Sequence, residues 1–195
     1  MFKFDLGDGA DLRFLELRHA PEFLAFVAAN RDHLGHWLEW GKTIQTLEQA
    51  QNFIKRGITR YSEDGLPWVG VWLEGRMVGG ILFFPVDKTA RSTMIGYWLG
   101  GDVGGRGIMS KAVRAMLGFV FDDFGLNRLE LQAHVDNLKS RALAERLGWT
   151  PDWNQPRTIH FWRSLPWIVG AGRSLFKRIF FGTARRPIWH HSKDH

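Results

Sequence analysis

The chain has 195 residues, 45% of them apolar, and no cysteine; this fits one globular domain and excludes a disordered chain, a disulfide framework, a Cys-based zinc site and a thiol nucleophile. The formal net charge is +6, but residues 1–150 hold 18 Lys and Arg against 18 Asp and Glu, so the whole excess sits in residues 151–195. A nucleic-acid or membrane role drawn from positive charge is therefore excluded for the main body and attaches to the tail alone.

The first residues, Met1 to Asp5, lack the charged-then-apolar layout of a signal peptide. No apolar run approaches the ~20 residues of a membrane helix, and a reducing cytoplasm is the expected location. Residues 11–18 alternate apolar and polar apart from the Phe14-Leu15 step, which predicts a strand. Pro21 suits the first turn of a helix to about Asn30. An aromatic linker, His33 to Trp40, follows. Thr46 with Gln49 reads as a capping box opening a helix to about Tyr61. Pro67–Leu73 and Met77–Phe84 read as a hairpin turned at Glu74-Gly75, and Ser92–Leu99 as a further strand. Residues 100–107 are Gly-rich. A helix to about Phe124 has Met109, Ala112, Val113, Met116 and Val120 on one face, with Phe119 and Phe121 also read as packing, and Gly125 stops it. Leu129–Val135 is a strand, and Asp136 or Asn137 caps a helix to Leu147. The order β-α-α-β-β-β-α-β-α predicts an α+β domain over 1–150, a mixed, mostly antiparallel sheet flanked by helices.

The segment with most chemical content is Ile95-Gly-Tyr-Trp-Leu99, then Gly100-Gly-Asp-Val-Gly-Gly-Arg-Gly107, then a helix. Glycines let backbone approach a ligand, and amides at a helix N-terminus suit phosphate. A nucleotide P-loop is excluded because Arg106-Gly107 stands where Lys and Ser/Thr belong. A dinucleotide fingerprint from Gly105 fails at Ser110.

Ile95-Gly-Tyr-Trp-Leu-Gly100, Gly105-Arg-Gly-Ile-Met-Ser-Lys-Ala112, Gly125-Leu-Asn-Arg-Leu-Glu130, Asn137-Leu-Lys-Ser-Arg141 and Glu145-Arg-Leu-Gly-Trp149 together resemble the core of GNAT acetyltransferases. Within that superfamily they resemble the branch of ribosomal-protein N-terminal acetyltransferases, over about residues 10–150. The resemblance implies the GNAT fold and acetyl-CoA as co-substrate. Its Q/R-x-x-G-x-G/A loop maps onto Asp102, Val103, Gly104, Gly105, Arg106 and Gly107, whose amides, with Ile108 and Met109 at the helix start, would take the pyrophosphate. Asp102 departs from the usual Gln or Arg. Trp98, Leu99 and Gly100 would pair their backbone with the pantetheine arm, Asn137 would contact that arm, and Ser140 would stand near the thioester sulfur.

Acetyl transfer to an amine needs a neutral nucleophile, a donor for the carbonyl oxygen and an acid for the leaving thiolate. A strand N–H near Leu99 is the candidate oxyanion donor and Ser140 the candidate acid. His36 and Glu39, in the aromatic linker, are the candidate bases, with a plain surface histidine as the competing reading for His36. His134 beside Asp136 reads as structural. Of Trp37 and Trp40, one is expected in the core and the other at the acceptor site. Arg141, Glu145 and Arg146 read as a solvated helix face. No His/Asp/Glu set has metal-ligand spacing, so no metal is expected.

Residues 151–195 hold four of the ten Trp, eight basic residues and no Glu, with Pro151, Pro156, Pro166 and Pro187 and a basic-aromatic stretch from Leu175 to Phe181. They lack the alternation of the strand-turn-strand that ends this family. A divergent ending, a surface element for membrane or nucleic acid, and a tail read in a shifted frame after Thr150 compete, and the coincident loss of pattern and change of charge favour the last. Expected partners are acetyl-CoA and an amine acceptor: a ribosomal-protein N-terminus, a peptide or a small molecule. A homodimer is compatible with the resemblance. The alternatives to an active enzyme are a CoA-binding fold with impaired catalysis and a basic-tail interaction protein.

Overall fold

In a computed structural model, residues 3–155 and 158–164 are described. Gly7, Asp8 and Gly9 all have positive φ and turn β1 (Lys3–Gly7) onto β2 (Ala10–Phe14). The strand expected over 11–18 is thus shorter and belongs to a hairpin. It stops because Glu16 and His19 close a 3-10 turn, His19 donating its N–H to Glu16 O at 2.9 Å and accepting the Glu16 N–H on Nδ1 at 3.1 Å.

Four helices follow: α1 (Ala20–Ala29), α2 (Arg31–Gly35), α3 (Glu39–Thr43) and α4 (Leu47–Asp64). The aromatic linker is therefore mostly two short helices. Arg31 ties them down, its guanidinium donating to the carbonyls of Lys42 at 3.2 Å and Ile44 at 3.1 Å. The capping box forms as the sequence predicts, with Gln49 N to Thr46 Oγ1 at 3.3 Å and Thr46 N to Gln49 Oε1 at 3.0 Å. β3 (Val69–Leu73) and β4 (Arg76–Phe83) form the predicted hairpin, and β5 (Ser92–Leu99) adds to it. α5 (Ile108–Gly118) runs on as a π turn over Phe119–Asp123 before Gly125. β6 (Arg128–His134), α6 (Leu138–Arg146), β7 (Thr150–Gln155) and β8 (Thr158–Ser164) complete the order.

The eight strands lie in the order β1-β2-β3-β4-β5-β6-β8-β7. Every neighbouring pair is antiparallel except β5 and β6. The sheet does not stop at Thr150, and this corrects the expectation of an irregular tail from that point. β8 pairs along its length with β6, from Thr158 opposite His134 to Ser164 opposite Arg128. Two features hid this in the sequence. β7 is an edge strand, where Pro151 is tolerated because no ladder bond is demanded of it, and its register shifts between Asp152 and Gln155. The sheet thus continues past Thr150 to Ser164, while residues 165–195, which carry five of the six excess positive charges, lie outside the described residues. Pro156, Pro166, Pro187 and the Leu175–Phe181 stretch lie outside the described residues.

Helices cover both faces. On one, Met109, Val113 and Met116 of α5, Val120 of the π turn and Leu143 of α6 pack with Val71, Ile81, Ile95, Leu131 and Ile159. On the other, α1 and α4 bring Phe23 and Phe53 against Trp68, Trp72 and Trp98. Phe53 has ring contacts with Phe23 at 4.9 Å, Trp40 at 5.1 Å and Trp68 at 5.2 Å, each worth about 0.5–1.5 kcal/mol beyond burial. This aromatic layer fixes the floor beneath β5. No helix among the described residues is long and apolar enough to cross a membrane.

Candidate active site

The parallel pairing of β5 and β6 covers four residues, Ser92 to Ile95 against Arg128 to Leu131. Beyond that, β5 runs to Leu99 along β4, while β6 runs to His134 along β8. The sheet therefore forks. Gly96 to Leu99 pair with β4 on one side and face the fork on the other. The resulting cleft is about 700 Å³ and is lined by residues from both faces of the sheet.

At one end lies the glycine loop. Gly105 and Gly107 adopt φ of 82° and 74°, and a Cβ on either would meet no atom within 4 Å. Backbone conformation and an open face, not crowding, call for glycine there. The first helical bond of α5 is Lys111 N to Gly107 O at 3.1 Å, so the amides of Ile108, Met109 and Ser110 have no partner within the helix. Three amides at the positive end of an eleven-residue helix form an anion cradle. Arg146 of α6 adds a cation beside it, donating to Ser110 Oγ at 3.1 Å. Asp102 does not spoil the cradle. Its carboxylate is taken by Arg76 at 2.9 Å, and that bond holds its pKa below the ordinary aspartate value. These features fit a diphosphate, and the backbone of Gly96 to Leu99 fits the extended arm of a coenzyme A.

In the throat of the fork, the Tyr97 phenol meets Ser140. The oxygens Oη and Oγ are 2.9 Å apart, and Oη is 3.2 Å from the Ser140 carbonyl. The alternation of β5 points Tyr97 with Ile95 and Leu99 toward α6. Asn137 caps α6, accepting the Ser140 N–H on Oδ1 at 3.1 Å, and so sets the serine in the first turn. Burial pushes the Tyr97 phenol up to about 12, against a smaller downward pull from the Ser140 hydrogen bond; it stays protonated at neutral pH.

At the other end, the cleft is lined by Leu34, Trp37 and Leu38, by Phe84 and Met94, and by Gln132 and His134. Trp37 lies 5.9 Å from the His134 ring and 4.3 Å from that of His36. His33 also lines this cleft and packs against Gly101.

Of the residues singled out in the sequence, Trp98, Leu99, Gly100, Gly104, Gly105, Gly107, Ile108, Met109, Asn137 and Ser140 line this one cleft. Val103 does not; it is buried in the core and anchors the loop. Arg106 does not line it either. His36 and Glu39 are not brought to the cleft, which corrects their placement at the acceptor site. His36 faces a separate surface hollow with Arg31, Asp32, Gly35 and Lys42. His36 and Trp37 lie in the turn that follows α2, and that turn brings Trp37 to the cleft beside His33 while His36 stays in the hollow. Trp40, not Trp37, is the tryptophan packed on the aromatic core. Glu145 and Arg146 are exposed, as expected of a solvated face, and Arg146 also bonds Ser110 from there, whereas Arg141 is part-buried and bonds Val135 O at 2.8 Å. Among the titratable residues of the cleft, Tyr97, His33 and Lys139 have no reading in the sequence, and Arg146 reads there only as solvated. Strand parity would have found Tyr97; the others depend on helix placement.

The sequence model described as an acetyltransferase (GNAT) domain matches residues 11–150. "Putative ribosomal N-acetyltransferase YdaF" of Bacillus subtilis (strain 168) is 28% identical over 149 residues, covering 76% of this chain and 81% of its own. The ribosomal-protein-serine acetyltransferase of Escherichia coli (strain K12) is 22% identical over 143 residues, covering 73% and 80%. Among solved structures, RimL, a ribosomal L7/L12 alpha-N-protein acetyltransferase in complex with coenzyme A, superposes with a TM-score of 0.77 at 21% identity, over 84% of this chain and 98% of its own. Microcin C7 self immunity acetyltransferase MccE, in complex with acetyl-CoA and AMP, does so with 0.75 at 20% identity, over 84% and 97%.

Proposed function

The chain belongs to the GNAT acetyltransferase family, and on that premise we propose that it transfers the acetyl group of acetyl-CoA to a primary amine by direct attack. The observation that carries this reading is the Tyr97–Ser140 pair, held in the throat between the anion cradle and the apolar arm.

The roles follow from position. The amides at the start of α5, with Arg146 beside them, hold the diphosphate. The backbone of β5 from Gly96 to Leu99 aligns the thiol arm, and an N–H near Leu99 serves the charge that builds on the carbonyl oxygen. The amine nitrogen bonds to the carbonyl carbon as the C–S bond breaks. The Ser140 hydroxyl donates toward the departing sulfur, and Tyr97, by hydrogen bonding to Ser140, keeps that hydroxyl aimed. The amine's proton leaves through water or His33. His134 is less suited, because its Nδ1 accepts the Asp136 N–H at 3.2 Å and so its neutral ring carries the proton on Nε2. Acceptors are protein or peptide N-termini, the class named for the relatives above, or small amines.

The competing reading, a CoA-binding fold with impaired catalysis, rested on loss of the last two strands. β7 and β8 remove that motive. Calorimetric titration of acetyl-CoA tests the donor site, with a Gly105→Asp, Gly107→Asp variant as control. Acetyl transfer to a panel of amines tests the enzyme. Binding abolished in the variant together with turnover in the wild type is the expected result. A folded wild-type protein that does not bind acetyl-CoA overturns the reading.

A further inference from the structure

Resting on that acetyltransferase reading, we infer that the apolar arm of the cleft selects an α-amine carried next to an aromatic group, and rejects polyamines and lysine ε-amines.

Charge is the first argument. The cleft is lined by no Asp or Glu among the described residues. Glu130 is paired with Arg128 at 2.8 Å, and Asp136, 3.5 Å from His134, stands outside the lining with its side chain in solvent. The titratable side chains that face the cleft are His33, His134, Tyr97, Lys139 and Arg146. Without a carboxylate, nothing offsets the cost of desolvating an ammonium. The acceptor must therefore enter as the free amine. An α-amine titrates near 8 and a lysine amine near 10.4, so at neutral pH about two hundredfold more of the α-amine is in the reactive form.

Shape is the second. Among the described residues, the large apolar side chains left exposed are Leu17, Trp37, Leu47, Phe84 and Leu138, and three of these, Trp37 at 37%, Phe84 at 43% and Leu138 at 66%, line this cleft. Scattered exposed apolar groups need no explanation, whereas their convergence on one concave site marks a ligand surface. Gly96 helps to build it. A Cβ there would lie 3.1 Å from Leu82 Cδ1, which is tight, and 3.6 Å from Phe84 Cε2, an ordinary contact, so the Phe84 ring lies beside the Gly96 backbone. Phe84 and the Trp37–His134 pair then form two walls, one just past the end of β4 and one at the turn after α2 and the end of β6. An aromatic ring beside the amine would lie between them, with the nitrogen directed toward Gly96 and the throat.

The test is binding, read apart from turnover. Phenylalaninamide, alaninamide and spermidine are titrated into the full chain with and without coenzyme A. Phenylalaninamide is expected to bind about tenfold more tightly than alaninamide, and spermidine not to bind. Trp37→Ala and Phe84→Ala, both at partly exposed positions, should each remove most of that preference while leaving coenzyme A affinity and the melting temperature within error. Spermidine binding as tightly as phenylalaninamide overturns the inference, and so does a preference unchanged in both variants. Loss of coenzyme A binding in the wild type would instead count against the donor site, and the titrations without coenzyme A still decide the acceptor arm.

Discussion

Tyr97 and Ser140 are joined across the fork, phenol to hydroxyl at 2.9 Å, by two elements that are 43 residues apart in the chain. Serine alone is a weak acid, and its rotamer is free unless something holds it. Tyr97 supplies that hold. Ser140→Ala is expected to lower kcat about a hundredfold, within the range for loss of an acid. Tyr97→Phe should lower it about tenfold, the worth of one buried hydrogen bond. The double variant should resemble Ser140→Ala alone, since the two act through one hydroxyl. Steady-state kinetics with KM for acetyl-CoA measured alongside checks all three.

Because the Tyr97 pKa is raised to about 12, its ionisation cannot shape the pH profile below about pH 10. An alkaline loss of kcat at pH 9 that disappears in Tyr97→Phe would contradict this assignment.

The anion cradle makes a contrast between two charged residues. Arg146 stands at the start of α5 beside Ser110, and Arg146→Ala should weaken acetyl-CoA binding about tenfold, within the range for a charged hydrogen bond. Asp102→Asn should change it less than about twofold, because that carboxylate already faces Arg76. Calorimetry on both variants separates the roles.

His36→Ala and Glu39→Ala should leave kcat within about twofold of wild type, as expected of surface positions away from the reacting atoms. His33→Ala should lower kcat more at pH 6.5 than at pH 8.5, where amines lose protons to solvent unaided. Rates measured at both pH values decide it.

How far this was legible in the sequence can be traced residue by residue. The loop and helix from Gly100 to Met116 were readable because glycine, apolar period and motif all point one way. The capping box at Thr46 and the stop at Gly125 were equally local. What failed was orientation. His36 and Trp37 are adjacent in the turn after α2, yet one faces the surface hollow and the other the cleft, and composition carries no such geometry. β7 failed because an edge strand with a proline and a register shift loses its period of two. Arg146 is exposed, as a basic residue late in a helix suggests, and its bond to Ser110 becomes visible only once α5 is placed beside it.

His19 gives a stability prediction independent of catalysis. Its ring is buried against Trp72 at 5.0 Å, and burial first, then the charge of Arg18, holds its pKa below the usual 6.5. The unfolded chain then binds the proton more readily than the folded one. Stability conferred by the neutral ring is present above pH 6.5 and is lost as pH falls toward the depressed folded value. Thermal melts from pH 7.5 to 5.5 should show a falling melting temperature, with a shallower slope in His19→Gln.

The fork between β5 and β6 has a topological consequence. Because the strands part, the site is a passage through the sheet and not a pit in one face. Donor and acceptor can arrive from opposite sides, as Ser140 and Trp37 do in lining it. A split ladder thus does for this enzyme what a hinged lid does for others: it brings two molecules into line without any large part having to move.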